Sequence, residues 1–458
     1  MTPRLVVVDA ELRGQRVDVV IAGGSLAAIV PTGGARPSGD DLVVPAAGGA
    51  LLPGLHDHHL HLLAMAAAVG SVAVGPVDVA DSDALAARLH AAAGEATRGE
   101  WVRAIGYHES VAGELDRHVL DGFVADCPVR VQHRSGAMWV LNSAALAAVG
   151  ASADHDGRFL RADGWLRERM PHHPLDLAAV GRRLAGYGVT GVTDLTPTSD
   201  PAEVALLGAA VANGDLRVAV TITGSADLPA TQTPQLARGP VKVVVGDHEL
   251  PSLDDLIARF QAARRLGRAV AVHCVTREAL VLALVAWQEV GAVRGDRVEH
   301  GAVVPPELFA DLAGLGLTVV TQPSFVHERG DQYLTDVDLA DRPHLWRCGS
   351  LVDAGVGVAF GSDAPYGSAD PWAMIRAAAQ RRTAAGQVLG AHEALSATDA
   401  LARLHGSAAQ PTRPREVVVG APADLCLLDR PLTEMLATPD ALAVCATIVG
   451  GNVVFSRS

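Results

Sequence analysis

The chain has 458 residues, with 37 Lys plus Arg against 51 Asp plus Glu and a net charge of −14. That acidic balance argues against a phosphate-backbone partner such as nucleic acid, and no run of about 18 apolar residues offers a membrane span. The 49% apolar content supports a large core; at roughly 150 residues per domain the length suggests about three units, although an α/β barrel can run longer as one.

Of the 37 basic residues, 36 are arginine and one is lysine, Lys242. A composition pressed so far toward arginine makes the surviving lysine a candidate for chemistry that arginine cannot do. The five cysteines are scattered and odd in number, which fits reduced thiols in a cytoplasmic protein better than a disulfide framework. The start, MTPRLVVVDAEL, lacks a basic n-region followed by a long apolar stretch, so no signal peptide is expected.

In chain order, residues 1–50 carry LVVVDAEL, VDVVIAGG and SLAAIVP, short strands separated by glycine turns. The run ALLPGLHD (50–57) reads as the first buried strand. It leads through Pro53-Gly54-Leu55-His56-Asp57-His58-His59-Leu60-His61. His59 and His61 are two apart, so on an extended strand they point to one side and can grip a divalent metal. His56 and His58 alternate with them and should point away. Residues 62–188 carry their own runs, WVRAIGY (101–107) and VRVQHRSG (129–136), and are expected to form an inserted lid.

From about 186 to 363 one theme repeats: a short apolar run, a helical pattern, another run. The runs are GVTDL (191–195), RVAVTIT (217–223), VKVVV (241–245), AVAVHC (269–274), RVEHG (297–301), LTVVTQ (317–322) and VGVAFGSD (356–363). They read as strands buried on both faces. One connector illustrates the unit. Ser252 is placed to cap a helix with Leu253, Leu256, Ile257 and Phe260 on one stripe, and Gly267 stands at its end. With the first strand these runs make eight, which predicts an α/β fold of the (β/α)8 TIM-barrel type over 53–410. The tail, with REVVVG, ADLCLLD and ATIVGGNVVF, shows short strands without intervening helices. Residues 1–52 and 411–458 are therefore expected to form a composite β-sandwich.

His273, His300 and Asp363 each stand at the C-terminal end of a run, the face where barrel active sites assemble. Lys242 lies among valines on the fourth run, an expensive place for a lone cation. A neutral lysine amine can add carbon dioxide and become an anionic carbamate that bridges two cations; a guanidinium cannot, because it stays protonated. The other reading is a buried ion pair with a strand-end carboxylate. Lys242 sits early in its run while the other ligands sit late; its long side chain, and a run extending toward Gly246-Asp247, would reconcile this.

PGLHDHHLH, GVTGVTDL, the lysine of VKVVV, AVAVHC, RVEHG, GSDAPYGSADP and GAPADLCLLD with TIVGGNVV together resemble the amidohydrolase superfamily, over nearly the whole chain. They look most like the branch called amidohydrolase family 3, or YtcJ-like, which includes N-substituted formamide deformylases. The resemblance implies that His59, His61 and Asp363 hold one metal, His273 and His300 a second, and carboxylated Lys242 bridges them. Asp57 would orient a ligand imidazole. The ions, zinc by preference, would activate a hydroxide that cleaves an N-acyl, cyclic or other non-peptide amide C–N bond, with Asp363 as catalytic proton shuttle. The implied substrate is a small amide, and a homodimer is a superfamily habit.

The chain departs from the family in three places. His273-Cys274-Val275-Thr276-Arg277 replaces the usual His-Ala-Ile-Gly-Asp. Gly136-Ala137 lacks the usual histidine, and Trp165 occupies the Gly-x-x-x-Glu stretch. These positions concern the substrate. Candidate substrate contacts are Gln322, His327 and Tyr366 near the barrel mouth, and Arg134, Trp165 and Glu168 from the insertion. A single-metal deaminase of the same superfamily is the alternative reading, and a non-catalytic binding relative the next.

Overall fold

The computed structural model describes residues 4–97, 100–152, 154–170, 175–231, 233, 235–246 and 250–457. The chain forms two compact units, one of Met1–Leu62 with Leu177–Ser458 and one of Leu63–Asp176.

The first unit contains an eight-stranded parallel sheet whose strands follow chain order: Leu55–Leu60, Val189–Asp194, Ala219–Gly224, Leu236–Val244, Val270–Cys274, Arg297–His300, Thr318–Thr321 and Gly357–Phe360. Helices connect most of them, as in the expected TIM barrel. The last and first strands approach through loop ends. Asp363 N–H donates to the His59 carbonyl at 2.7 Å, and His61 N–H donates to the Ala364 carbonyl at 2.8 Å. The barrel therefore closes, nearly, through backbone that carries three of the expected ligands.

The helix Leu253–Arg265 shows how local sequence fixes one connector. The Ser252 hydroxyl accepts the Asp255 N–H at 3.1 Å, and Gly267 takes φ +64° beyond the end. Leu256 and Phe260 are fully buried, each stabilising by about 1.5–3 kcal/mol relative to exposure.

Two strand readings need correction. The run 50–57 is not one strand. Leu51–Pro53 pairs antiparallel with Leu425–Leu428 in an outer sheet, and the barrel strand begins at Leu55. Pro53 has no N–H to continue a ladder, and Gly54 lies so close to Thr190 that an added Cβ would stand 2.1 Å from its methyl. The fourth barrel strand begins at Leu236 rather than 241, because the strand also includes Gly239-Pro240. Lys242 is thus third from the strand's C-terminal end, which removes most of the tension over its position. Asp247 lies outside the described residues.

The chain ends build two four-stranded sheets. One holds Leu5–Leu12, Gln15–Ala22, Ser25–Pro31 and Leu42–Pro45; the other holds Leu51–Pro53, Leu425–Leu428, Val444–Val449 and Asn452–Ser456. Val7, Val19, Ile21 and Leu26 from the first share a core with Leu51, Leu425, Leu427 and Ile448 from the second. The tail is not free of helix: Leu432–Ala437 buries Met435 between two strands.

The second unit is smaller than the 62–188 insertion read from sequence. Helix Leu177–Gly186 belongs with the barrel, because its stripe of Leu177, Val180, Leu184 and Ala185 is buried just ahead of the second strand. The unit itself holds a five-stranded sheet ordered Arg158–Leu160, Met138–Leu141, Val129–His133, Val102–Tyr107, Val72–Ala73. All five cysteines are free. Among the described residues, no helix is long and apolar enough to cross a membrane.

Candidate metal centre

The first barrel strand is buried along its whole length, and its alternation separates two histidine pairs. His56 turns away, with Nε2 2.9 Å from Thr193 Oγ1, and its ring lies tilted against His58 at 4.4 Å between centroids. On the other side, His59 Nε2 and His61 Nε2 stand 3.4 and 3.1 Å from Asp363 Oδ1. These three side chains form a group whose ligand atoms all lie within 4.8 Å of one another. His300 lies against His59 at 4.7 Å between centroids, and His273 against His300 at 4.5 Å. Four imidazoles and one carboxylate thus form a continuous array, assembled from the first, fifth, sixth and eighth strands.

His300, which ends the sixth strand, and Asp363, three residues beyond the eighth, adopt left-handed backbone at φ +71° and φ +56°. Such conformations are costly for non-glycine residues and collect at functional sites. A left-handed residue also breaks the two-residue alternation of a strand. That is how both Glu299 and His300, sequence neighbours, come to face His59.

The hydrogen bonds behind the rings test whether a metal fits. His59 Nδ1 lies 2.6 Å from Glu299 Oε2, His300 Nδ1 lies 2.9 Å from Gln322 Oε1, and His61 Nδ1 lies 3.3 Å from Thr196 Oγ1. An acceptor at Nδ1 fixes the proton there and leaves Nε2 with a lone pair. For His59 that nitrogen faces Asp363; the Thr196 hydroxyl can donate or accept, so it leaves His61 able to turn either a lone pair or an N–H toward Asp363. The donor set therefore fits a divalent cation held by His59, His61 and Asp363.

Electrostatics agree. Burial lowers the pKa of His59 to about 4 and of His300 to about 3, and pushes His273 well below its ordinary value. All three rings are neutral at pH 7, the state a metal requires. Burial pushes the Asp363 carboxyl upward, but the His61 hydrogen bond opposes it and the carboxyl lies below the usual range. Lys242 is buried, and desolvation lowers its pKa against the opposing pull of Glu299 and Asp363.

Several sequence-read roles change. Asp57 does not reach a ligand imidazole. Its Oδ1 accepts the backbone N–H of His59 at 3.1 Å and of Ser362 at 3.0 Å, so it pins the closing seam of the barrel. Glu299, which sequence reasoning passed over, is the residue that orients His59. Arg297 and Glu299 are two apart on an apolar strand and ion-paired, and that spacing of opposite charges was its only signal. Gln322 was read as a substrate contact, but its carbonyl oxygen holds the His300 ring. His327 is exposed, with Nδ1 3.3 Å from the Arg382 carbonyl. Tyr366 is half-buried, its ring edge-on to His61 at 5.5 Å.

Arg134, Trp165 and Glu168 belong to the second unit. There Trp165 stacks on Phe159 under the Arg169 guanidinium, Glu168 pairs with Arg169 at 3.2 Å, and the Arg134 N–H donates to the Tyr107 carbonyl.

Comparison with known proteins gives the same picture. Residues 42–455 match the amidohydrolase family profile. An uncharacterised metal-dependent hydrolase from Pyrococcus horikoshii OT3 has a similar structure, with 20% identity, a TM-score of 0.73, and coverage of 96% of this chain and 98% of that one. The uncharacterised metal-dependent hydrolase from Pyrococcus furiosus gives 21%, 0.71, 96% and 100%. N-isopropylammelide isopropylaminohydrolase from Burkholderia multivorans gives 16%, 0.55, 99% and 98%. At these identities the likeness is one of fold. No protein of curated function matches the sequence. The match across most of the chain, with the histidines and aspartate gathered at the barrel mouth, makes the chain a member of the amidohydrolase family.

Proposed function

We propose that the protein is a binuclear metal-dependent hydrolase of small non-peptide, N-acyl or cyclic amides. The observation that carries this reading is the gathering of His59, His61 and Asp363 beside His273 and His300, with ring nitrogens preset for metal by Glu299 and Gln322. His59, His61 and Asp363 would hold one divalent ion, zinc by preference, and His273 and His300 the other. The lowered pKa of Lys242 supports its role as the bridge. Its neutral amine would add carbon dioxide, forming an N–C bond and releasing one proton.

When bound, the ions supply a water of lowered pKa and a Lewis acid for the substrate carbonyl. The protein's own residues do the rest. Asp363 is ionised and takes a proton from the attacking water, then returns it to the leaving nitrogen. Glu299 and Gln322 keep the His59 and His300 rings in one tautomer and orientation. Asp57 holds the backbone seam that brings Asp363 to His59. Tyr366, beside His61, is the proposed substrate contact.

A single-metal deaminase is the second reading. It is favoured by one observation: of the five side chains gathered at the barrel mouth, His59, His61 and Asp363 form the tight ligand group, while His273 and His300 adjoin it through ring contact. Metal analysis of the purified chain separates the two, because two ions per chain support the hydrolase and one supports the deaminase. A screen of N-acyl amino acids and cyclic amides against amino-substituted heterocycles, read as carboxylate or ammonia release, tests the chemistry. Hydrolysis of an amide that survives full chelation would overturn the metal-dependent reading.

A further inference from the structure

The second unit holds a separate cluster that the proposed reaction does not use. We propose that His108, Glu109 and His133 form a zinc-type divalent-cation site of their own.

The topology brings the two histidines together. Strands Val102–Tyr107 and Val129–His133 lie side by side and parallel, with Tyr107 opposite His133. His108 and His133 therefore leave the same C-terminal edge of the sheet's parallel strands. Their rings are 5.8 Å apart between centroids. Glu109 places Oε2 3.6 Å from His108 Nε2 and 3.2 Å from His133 Nε2. One ligand atom from each of the three lies within 4.8 Å of the others.

The second observation is a repeated support. Each histidine is followed two residues later by a serine, in His108-Glu109-Ser110 and His133-Arg134-Ser135. His108 Nδ1 lies 2.9 Å from Ser110 Oγ and 3.2 Å from Ser110 N; His133 Nδ1 lies 2.7 Å from Ser135 Oγ and 3.1 Å from Ser135 N. Both rings are thus turned the same way, with Nδ1 engaged and Nε2 aimed at the carboxylate. Without a cation, each Nδ1 accepts the serine backbone N–H, and His133 Nε2–H donates to Glu109 while His108 Nε2 stays beyond hydrogen-bond reach of it. With a cation, the proton moves to Nδ1 and donates to Oγ, and both Nε2 lone pairs turn to the metal. The change is a tautomer shift in each ring and involves no net gain or loss of protons by neutral rings.

Two imidazoles and a carboxylate suit zinc and its transition-metal neighbours, whereas calcium and magnesium prefer oxygen alone. The histidine side chains are only 14% and 18% exposed, which leaves an opening for water as a further ligand. The bound ion would tie the ends of two neighbouring strands together.

The test uses the full chain equilibrated with zinc at micromolar free concentration. Anomalous diffraction at the zinc edge should place a peak within bonding distance of His108 Nε2, His133 Nε2 and the Glu109 carboxylate. Equilibrium dialysis should find one zinc per chain fewer in His133→Gln and in the shape-conserving Glu109→Gln than in wild type. Unchanged stoichiometry in both variants, or a wild-type map without a peak at these nitrogens, would overturn the site and leave a His133–Glu109 hydrogen bond with His108 beside it. The map needs no variant, so a misfolded substitution does not decide the outcome.

Discussion

His59 Nδ1 lies 2.6 Å from Glu299 Oε2, joining the first barrel strand to the sixth behind the candidate metal ligands. Glu299 also pairs with Arg297, and the Arg297 guanidinium in turn donates to the His58 carbonyl. The first and sixth strands are thus linked twice through one buried carboxylate–guanidinium pair.

Glu299→Gln keeps the shape but weakens the acceptor that fixes the His59 tautomer. Metal affinity at the barrel mouth should fall about 10–100-fold, as it does when such outer partners are lost elsewhere. Glu299→Leu should in addition destabilise folding by about 3–5 kcal/mol, because Arg297 is left buried and unpaired. Metal titration and urea unfolding measure the two effects. Wild-type affinity in the Gln variant would remove Glu299 from the centre.

Asp363→Asn should lower kcat by about 10²–10⁴-fold, the usual contribution of a general acid–base. Metal content should be largely kept, since the amide oxygen can still serve as a ligand. Full turnover in this variant would sink the proton-shuttle role.

Lys242→Arg should lose activity although it conserves charge, because a guanidinium does not form a carbamate. Lys242→Ala should recover part of its activity on addition of acetate or another short carboxylate. Normal activity in the Arg variant would show that the lysine contributes only its charge.

Gly361 lies where the eighth strand meets the first. A Cβ there would stand 2.4 Å from the His59 Cβ and 2.5 Å from its backbone nitrogen. Gly361→Ala should destabilise by about 1–3 kcal/mol or more, as overpacking of a close contact does, and displace His59 from Asp363. A thermal melt and a metal count check it; an unperturbed melt would mean the seam is looser than the structure has it.

His405 is buried, and desolvation together with the Arg415 charge lowers its pKa to about 3. The unfolded chain titrates this group near about 6.5. Below that value the unfolded state binds the extra proton first. The stability His405 contributes is therefore complete above pH 6.5 and is lost as pH falls from there toward 3. Urea unfolding at about pH 7 and about pH 5 should show wild type losing more stability than His405→Gln. Equal losses would contradict the buried neutral state.

Much of the centre was legible because its signals are local. The spacing of His59 and His61 survives on any strand, and strand-end positions marked His273, His300 and Asp363. Roles that depend on what lies across the barrel were not legible. The family resemblance implied that Asp57 is an imidazole partner, yet the chain's closing seam turned it toward backbone N–H groups. Gln322 looked exposed to substrate at a strand end, yet it is fully enclosed and spends its carbonyl on His300. Glu299 carried only a weak mark.

By itself the sequence determined the eight-strand order, the types of the candidate ligands and the peculiarity of Lys242. Periodicity, punctuation by glycine and proline, and the chemistry of residue types are properties of the chain taken a few residues at a time. Only the tertiary structure decided that Asp363 meets His59 and His61. That contact forms where backbone hydrogen bonds draw the last strand against the first, and left-handed residues at His300 and Asp363 turn two side chains inward. The same holds for His108 and His133, which meet because parallel pairing aligns two strand ends that the sequence keeps far apart. Closure and strand pairing are long-range, and a register reads only as the sum of all its contacts.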